Sequence, residues 1–98
     1  MHLRNVKRDG KGGFIEDNYL DGDVDMFGVM KPLVIEQSRR AKLGLKSARM
    51  PLRPDHGHLM IPDMDRKDIY PGYSLFGRMR GLAELRGLEL GVRRSVGL

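Results

Sequence analysis

Two short strand-like segments with polar tips, each followed by an amphipathic helical stretch, constrain this chain more than any other feature. Met50 to Leu52 is a brief apolar approach that opens onto Arg53-Pro54-Asp55-His56-Gly57-His58, where a guanidinium, a carboxylate and two imidazoles crowd together. At the start of the chain, His2-Leu3-Arg4-Asn5-Val6 alternates, so His2 and Arg4 share one face of a strand while Leu3 and Asn5 take the other. In parallel α/β folds the carboxyl ends of strands carry the site. Two polar-tipped strands in so short a chain point to one shared site.

The predicted elements are a strand over 2–6, a helix over 23–43, a strand over 50–55 and a helix over 74–96. The charged, glycine-rich stretch from Lys7 to Gly13 is a loop, and Phe14 to Asp21 continues as irregular structure. An acidic stretch at Asp21 to Asp25, apolar residues at Phe27, Met30, Val34, Ala41 and Leu45, and basic residues at Arg39, Arg40 and Lys42 together describe one amphipathic helix ending near Gly44. Pro32 lies inside it, and a kink or a new start is expected there. Pro51 and Pro54 require the second strand to be brief, or to lie where its amides are not needed. In the last helix Leu75, Met79, Leu82, Leu85, Leu88, Val92 and Val96 form an apolar stripe, while Gly77, Gly81, Gly87 and Gly91 imply close packing against a neighbour.

Strand, helix, strand, helix is the order of two consecutive β/α units. Parallel strands need both faces covered and neighbours on both edges, which two strands cannot supply. The 98 residues are therefore expected to be incomplete as an isolated fold, about a quarter of a barrel in one domain segment.

Composition narrows the chemistry. Without cysteine there is no disulfide framework, thiolate nucleophile or cysteine metal site. No apolar run approaches a membrane span, and His2, Arg4, Lys7 and Arg8 interrupt any signal-peptide core, so a cytoplasmic protein without a membrane partner is expected. The net charge of +5 would suit nucleic acid, but acidic residues are interleaved with the basic ones along most of the chain, which disfavours that partner.

Each candidate side chain has a functional and a bland role. His2 and Asp55 suit a manganese or ferrous ion when no thiolate is available, or they are hydrogen-bonded structural groups at strand ends. His56 and His58 are either a metal-binding pair or a loop whose rings face solvent. Arg4 and Arg53 could clamp a substrate carboxylate, or form salt bridges at a rim. Tyr73, set by Pro71-Gly72 just before the last helix, is either packing or a proton-transfer group tuned by Asp55 or a metal.

Taken in order, His2 to Val6, Asp21-Gly22-Asp23-Val24-Asp25-Met26, Arg53 to His58, Pro71-Gly72-Tyr73-Ser74 and Gly77-Arg78 through Gly81-Leu82-Ala83-Glu84 resemble the C-terminal portion of mannonate dehydratase. The resemblance implies the last two β/α units of a TIM-type (β/α)8 barrel of the xylose-isomerase-like kind. It also implies a hydro-lyase that converts D-mannonate to 2-keto-3-deoxy-D-gluconate in hexuronate catabolism with Mn2+ or Fe2+. By this resemblance His2 is a metal ligand, Asp55 a ligand that takes part in acid/base chemistry, and Tyr73 a catalytic acid/base partner. Arg4 and His56 contact or orient the substrate. The partners implied are the sugar acid, the missing barrel strands from an upstream segment or another chain, and further copies in a homo-oligomer. The family's other metal ligands, a cysteine and a histidine, lie on earlier strands, and Ile15 and Tyr19 stand where many relatives carry histidine. The rival expectations are an inactive remnant that self-associates and a small basic nucleic-acid-binding module.

Overall fold

The computed structural model describes all residues from Met1 to Leu98. Four short strands, β1 (His2–Leu3), β2 (Val6–Arg8), β3 (Phe14–Glu16) and β4 (Arg53–Pro54), accompany two helices, α1 (Met26–Lys42) and α2 (Leu75–Ser95). Strands β1 and β4 pair in parallel with His2 opposite Arg53 and Leu3 opposite Pro54, and α1 is the crossover between them. The result is a small α/β chain with no closed barrel.

The expected first strand is split by Asn5. Its side chain, 1% exposed, donates to the carbonyls of Tyr19 (2.8 Å) and Val24 (3.0 Å) and accepts from the amides of Val6 and Val24 (both 2.9 Å). Those bonds draw residues 18–24 against the strand break and leave β2 free to form an antiparallel hairpin with β3, in the segment expected to be irregular. The intervening turn is fixed by Asp9, whose Oδ1 accepts from the amides of Lys11 (2.7 Å) and Gly13 (3.1 Å). Replacing Asn5 with Ala strands buried backbone groups, and a loss of about 2–4 kcal/mol is expected from the cost of leaving them unmade. A urea titration followed by circular dichroism measures it; a shift under half a kilocalorie would show that the backbone finds other partners.

The α1 helix begins at an N-cap, Asp25, whose Oδ1 accepts from Gly28 N (3.0 Å), so the acidic stretch precedes the helix rather than filling its first turn. There is no new start at Pro32, because the helix is continuous through it. Gly44 ends it at φ 68°, the left-handed conformation that a glycine stop supplies. The buried stripe is Met26, Met30 and Val34, whereas Phe27, Ala41 and Leu45 are exposed.

Strand β4 is shorter than the expected 50–55. Arg53 and Asp55 donate to Met1 O (3.1 Å) and Leu3 O (2.8 Å), so the residue between them, Pro54, needs no amide for this ladder. A long loop leads through a 3-10 turn at Ile61–Asp63 to Ser74, the α2 N-cap, whose Oγ accepts from Gly77 N (2.9 Å) and donates to buried Asp63. On α2 the buried face is Gly77, Gly81, Leu85 and Val92, while Leu75, Met79 and Leu82 are exposed. A Cβ on Gly77 would overlap the His58 carbonyl, and one on Gly81 would overlap the Tyr19 ring; Gly87 and Gly91 face open space. Close packing therefore accounts for two of the four glycines.

The core holds Leu3, Tyr19, Met26, Met30, Val34, Leu85 and Val92. Only 14 of 98 residues are buried, and the molecule extends 49 × 28 × 21 Å. No helix is long and apolar enough to cross a membrane. Much of the basic character is neutralised internally. Arg39 and Arg40 both donate to Glu36, holding its carboxyl at about 2, well below the usual range, and Arg66, Arg80 and Arg93 each pair with a nearby carboxylate.

Candidate active site at the parallel strand pair

The parallel pairing of β1 with β4 brings both polar clusters to one place. Asp55, just beyond β4, lies with Oδ1 at 3.3 Å from His2 Nδ1 and 3.5 Å from Arg53 Nη2, and with Oδ2 at 3.4 Å from His56 Nε2. His2 is more than half exposed and Asp55 about a third, so this carboxylate is open to a ligand. No three His, Asp or Glu side chains gather closely enough here to hold a metal ion by themselves. As an imidazole and a carboxylate side by side, His2 and Asp55 are chemically suited to be two donors of a larger set.

His56 is the central ring of the site. Its Nδ1 is buried, makes no hydrogen bond, and sits 3.5 Å from Glu16 Oε1 on β3. Its other side meets the Tyr73 ring at a centroid distance of 4.9 Å and an interplanar angle of 52°. His58 does not join it as a pair, because its Nδ1 lies 2.7 Å from the Leu59 carbonyl instead. Tyr73 follows a tight turn in which Pro71 and Gly72 (φ 88°) are the central residues and Tyr73 N donates to Tyr70 O at 3.0 Å. A side chain on Gly72 would collide with Glu16 and crowd the His56 ring, so glycine is required there on two counts. The Tyr73 phenol is exposed and makes no hydrogen bond within the chain.

Arg4 stands beside this group, paired through Nε (3.2 Å) and Nη2 with the Glu16 carboxylate and lying 5.3 Å from the Phe14 ring centroid. Thus His2, Arg4, Asp55, His56 and Tyr73 converge, and Arg53 joins them through Asp55. The residue missed by sequence reasoning is Glu16. Alternation in a strand would have placed it on the Phe14 face, but that signal needed the hairpin, which Asn5 creates.

Tyr19 supports the site from below. Its hydroxyl is 2.6 Å from Leu3 O and 2.7 Å from His56 O, bridging β1 to the residue that carries the central imidazole. The ring is fully buried against Gly81, and Leu20 N donates to Glu84 on α2 at 3.0 Å. Tyr19 is thus a buried brace, and Ile15 is exposed on the outside of the hairpin.

A family model for D-mannonate dehydratase (UxuA) matches residues 1–96. The chain belongs to the D-mannonate dehydratase family. It is 52% identical over 88 residues to mannonate dehydratase of Saccharophagus degradans, which covers 90% of this chain and 22% of that protein. The match to mannonate dehydratase of Chromohalobacter salexigens is 51% over 94 residues, covering 95% of this chain and 23% of the relative, and that of Marinomonas sp. is 48% over 96 residues, covering 97% and 24%. The chain spans about a quarter of the length of these curated relatives.

Burial, with the Asp55 and Glu16 charges adding to it, pushes the Tyr19 phenol from its ordinary 10.0 up to about 12. A folded-state value above the unfolded one gives stability that is complete below pH 10 and is lost as the pH rises through 12. The unfolding midpoint in urea is accordingly expected to fall across that window, and to fall less steeply in Tyr19→Phe, which has no hydroxyl to ionise. Equal slopes for the two proteins would assign the alkaline loss to other groups.

Proposed function

We propose that this chain supplies the C-terminal part of a mannonate dehydratase, as the last two β/α units of a xylose-isomerase-like (β/α)8 barrel spanning residues 1–98. The assembled enzyme would remove water from D-mannonate to give 2-keto-3-deoxy-D-gluconate in hexuronate catabolism. What carries the reading is the parallel β1/β4 pair, which sets His2, Asp55 and His56 side by side in a chain about half identical to proteins of that name.

In this reading Arg4 binds the substrate carboxylate and His56 orients the sugar acid. Asp55 and Tyr73 are the acid/base groups: one removes the proton alpha to the carboxylate, and the other protonates the departing beta hydroxyl. His2 and Asp55 would hold a manganese or ferrous ion together with donors from outside this chain. When bound, such an ion would supply Lewis-acid polarisation of the substrate carboxylate, which would make the alpha proton more acidic. The reading includes a cytoplasmic location and a homo-oligomeric working form.

A second reading, an inactive remnant that self-associates, draws on the two unpaired outer edges of the β1/β4 sheet and on a cavity of about 220 Å3 between α1 and α2 that Met30, Leu33, Val34, Leu82 and Leu85 help to line. Both readings expect the chain alone to sediment as an associated species at low concentration. Co-expression with a segment carrying the missing strands separates them. The proposal expects a stable complex that dehydrates D-mannonate only with a divalent metal. An inactive complex would favour the remnant, and a compact, cooperative monomer of the chain alone would overturn the incomplete barrel.

A further inference from the structure

We propose that Glu16 is a positioning residue for this reaction: its carboxylate grips one edge of the Arg4 guanidinium and faces the buried Nδ1 of His56, orienting both groups at once. The inference rests on the dehydratase reading for its kinetic part only.

Three observations carry it. First, Glu16 takes the Nε and Nη2 edge of Arg4, while the Phe14 ring lies 5.3 Å from the guanidinium carbon. An arginine has five N–H donors, so a carboxylate that uses two leaves about three for an incoming anion. The guanidinium is therefore held in one plane while its side chain stays 41% exposed, instead of sampling the rotamers of a free side chain.

Second, Glu16 is itself poorly exposed, with a side-chain accessibility of 10% against 41% for Arg4. A carboxylate held nearly out of water is a costly way to stabilise a hairpin unless its partners are fixed as well. Third, the buried His56 Nδ1 has no hydrogen bond, yet the nearest carboxylate oxygen on that side, Glu16 Oε1, is at 3.5 Å. A modest ring or carboxylate rotation closes that gap, so the Glu16 carboxylate can receive an Nδ1–H and fix the orientation of the ring. Gly72 keeps this approach open, since any side chain there would intrude between the two groups.

Glu16→Gln keeps the side-chain volume but removes the charge. Glu16→Asp keeps the charge but withdraws it by one methylene. In the co-expressed active complex both variants are expected to lower kcat/KM for D-mannonate by about 10- to 100-fold, the range typical for groups that orient reactive side chains, chiefly through a higher KM because Arg4 is released. A role in charge balance alone would leave Glu16→Asp near normal, which would overturn the proposal.

The 98-residue chain gives an answer independent of activity. With nitrogen-15 in the arginine side chains, the Arg4 Nε–H is expected to be resolved and slow to exchange, as a donor held by a carboxylate, and to exchange faster in Glu16→Gln, where the His56 ring signals should also move. Equal exchange and unmoved His56 signals in the two proteins would sink the inference whether or not the complex is active. An inactive wild-type complex with the expected difference in exchange would instead reject the dehydratase reading and keep Glu16 as the group that orients Arg4 and His56.

Discussion

Asp55→Asn in the co-expressed enzyme is expected to lower D-mannonate turnover by about 100- to 10,000-fold, the range for deleting a general acid/base. The metal dependence of the residual rate should shift as well, because in the proposed site the substitution removes a donor charge. The geometry keeps this test free of a folding artefact. The Asp55 side chain pairs with His2 and Arg53, both more than half exposed, and such exposed pairs contribute about 0–1 kcal/mol; its contact with the less exposed His56, at 3.4 Å, is one that asparagine can still make as a neutral acceptor. Its structural contribution to the sheet is instead the main-chain bond from Asp55 N to Leu3 O, which asparagine retains. Steady-state rates and a thermal melt on the same preparation separate the two effects. Turnover within threefold of wild type would remove Asp55 from the chemistry.

That aspartate was legible in the sequence because the signal was local. A carboxylate beside two histidines at the end of an apolar approach needs only the strand to place it, and pairing with β1 brought His2 alongside it. The stop of α1 at Gly44 and the start of α2 at Ser74 were legible for the same reason, since both act on backbone groups within four residues of themselves, whereas the start of α1 was expected at 23 and lies at Met26, with Asp25 as the cap before it. What escaped the sequence was long-range. Asn5 sits in a strand-like alternation, and nothing local says that its amide will satisfy the carbonyls of Tyr19 and Val24 and so break the strand. The hairpin, and with it Glu16, followed from that one residue. The α2 stripe misled differently. Spacing of three and four selected leucines, but the closest approach of α2 to the rest of the chain is at Gly77 and Gly81, where the absence of a side chain admits the His58 carbonyl and the Tyr19 ring. Leu75 and Met79 remain exposed on another face. In the dehydratase reading, that face and the outer edges of β1 and β4 are where neighbouring parts of a barrel would pack.

Tyr73→Phe deletes one oxygen and leaves the ring, and this makes it the sharpest test of the proposed acid/base pair. The hydroxyl makes no hydrogen bond within the chain and the side chain is more than half exposed, so its removal costs no contact that folding uses. The ring's own contacts persist in phenylalanine, namely the tilted packing against His56 at 4.9 Å and the turn bond from Tyr73 N to Tyr70 O. Stability should therefore stay within about 0.5 kcal/mol of wild type, as for a surface substitution away from buried networks. Turnover in the co-expressed enzyme should nevertheless fall by about 100-fold or more, because in the proposed reaction the phenol beside His56 carries a proton to or from the sugar acid. The loss is expected in kcat with little change in KM, since the proposed reading gives the substrate carboxylate to Arg4 rather than to the phenol. A rise in KM at constant kcat would make Tyr73 a binding contact. An unchanged kcat and KM would return it to packing against His56, and the proton-transfer role would pass to Asp55 and a group outside this chain.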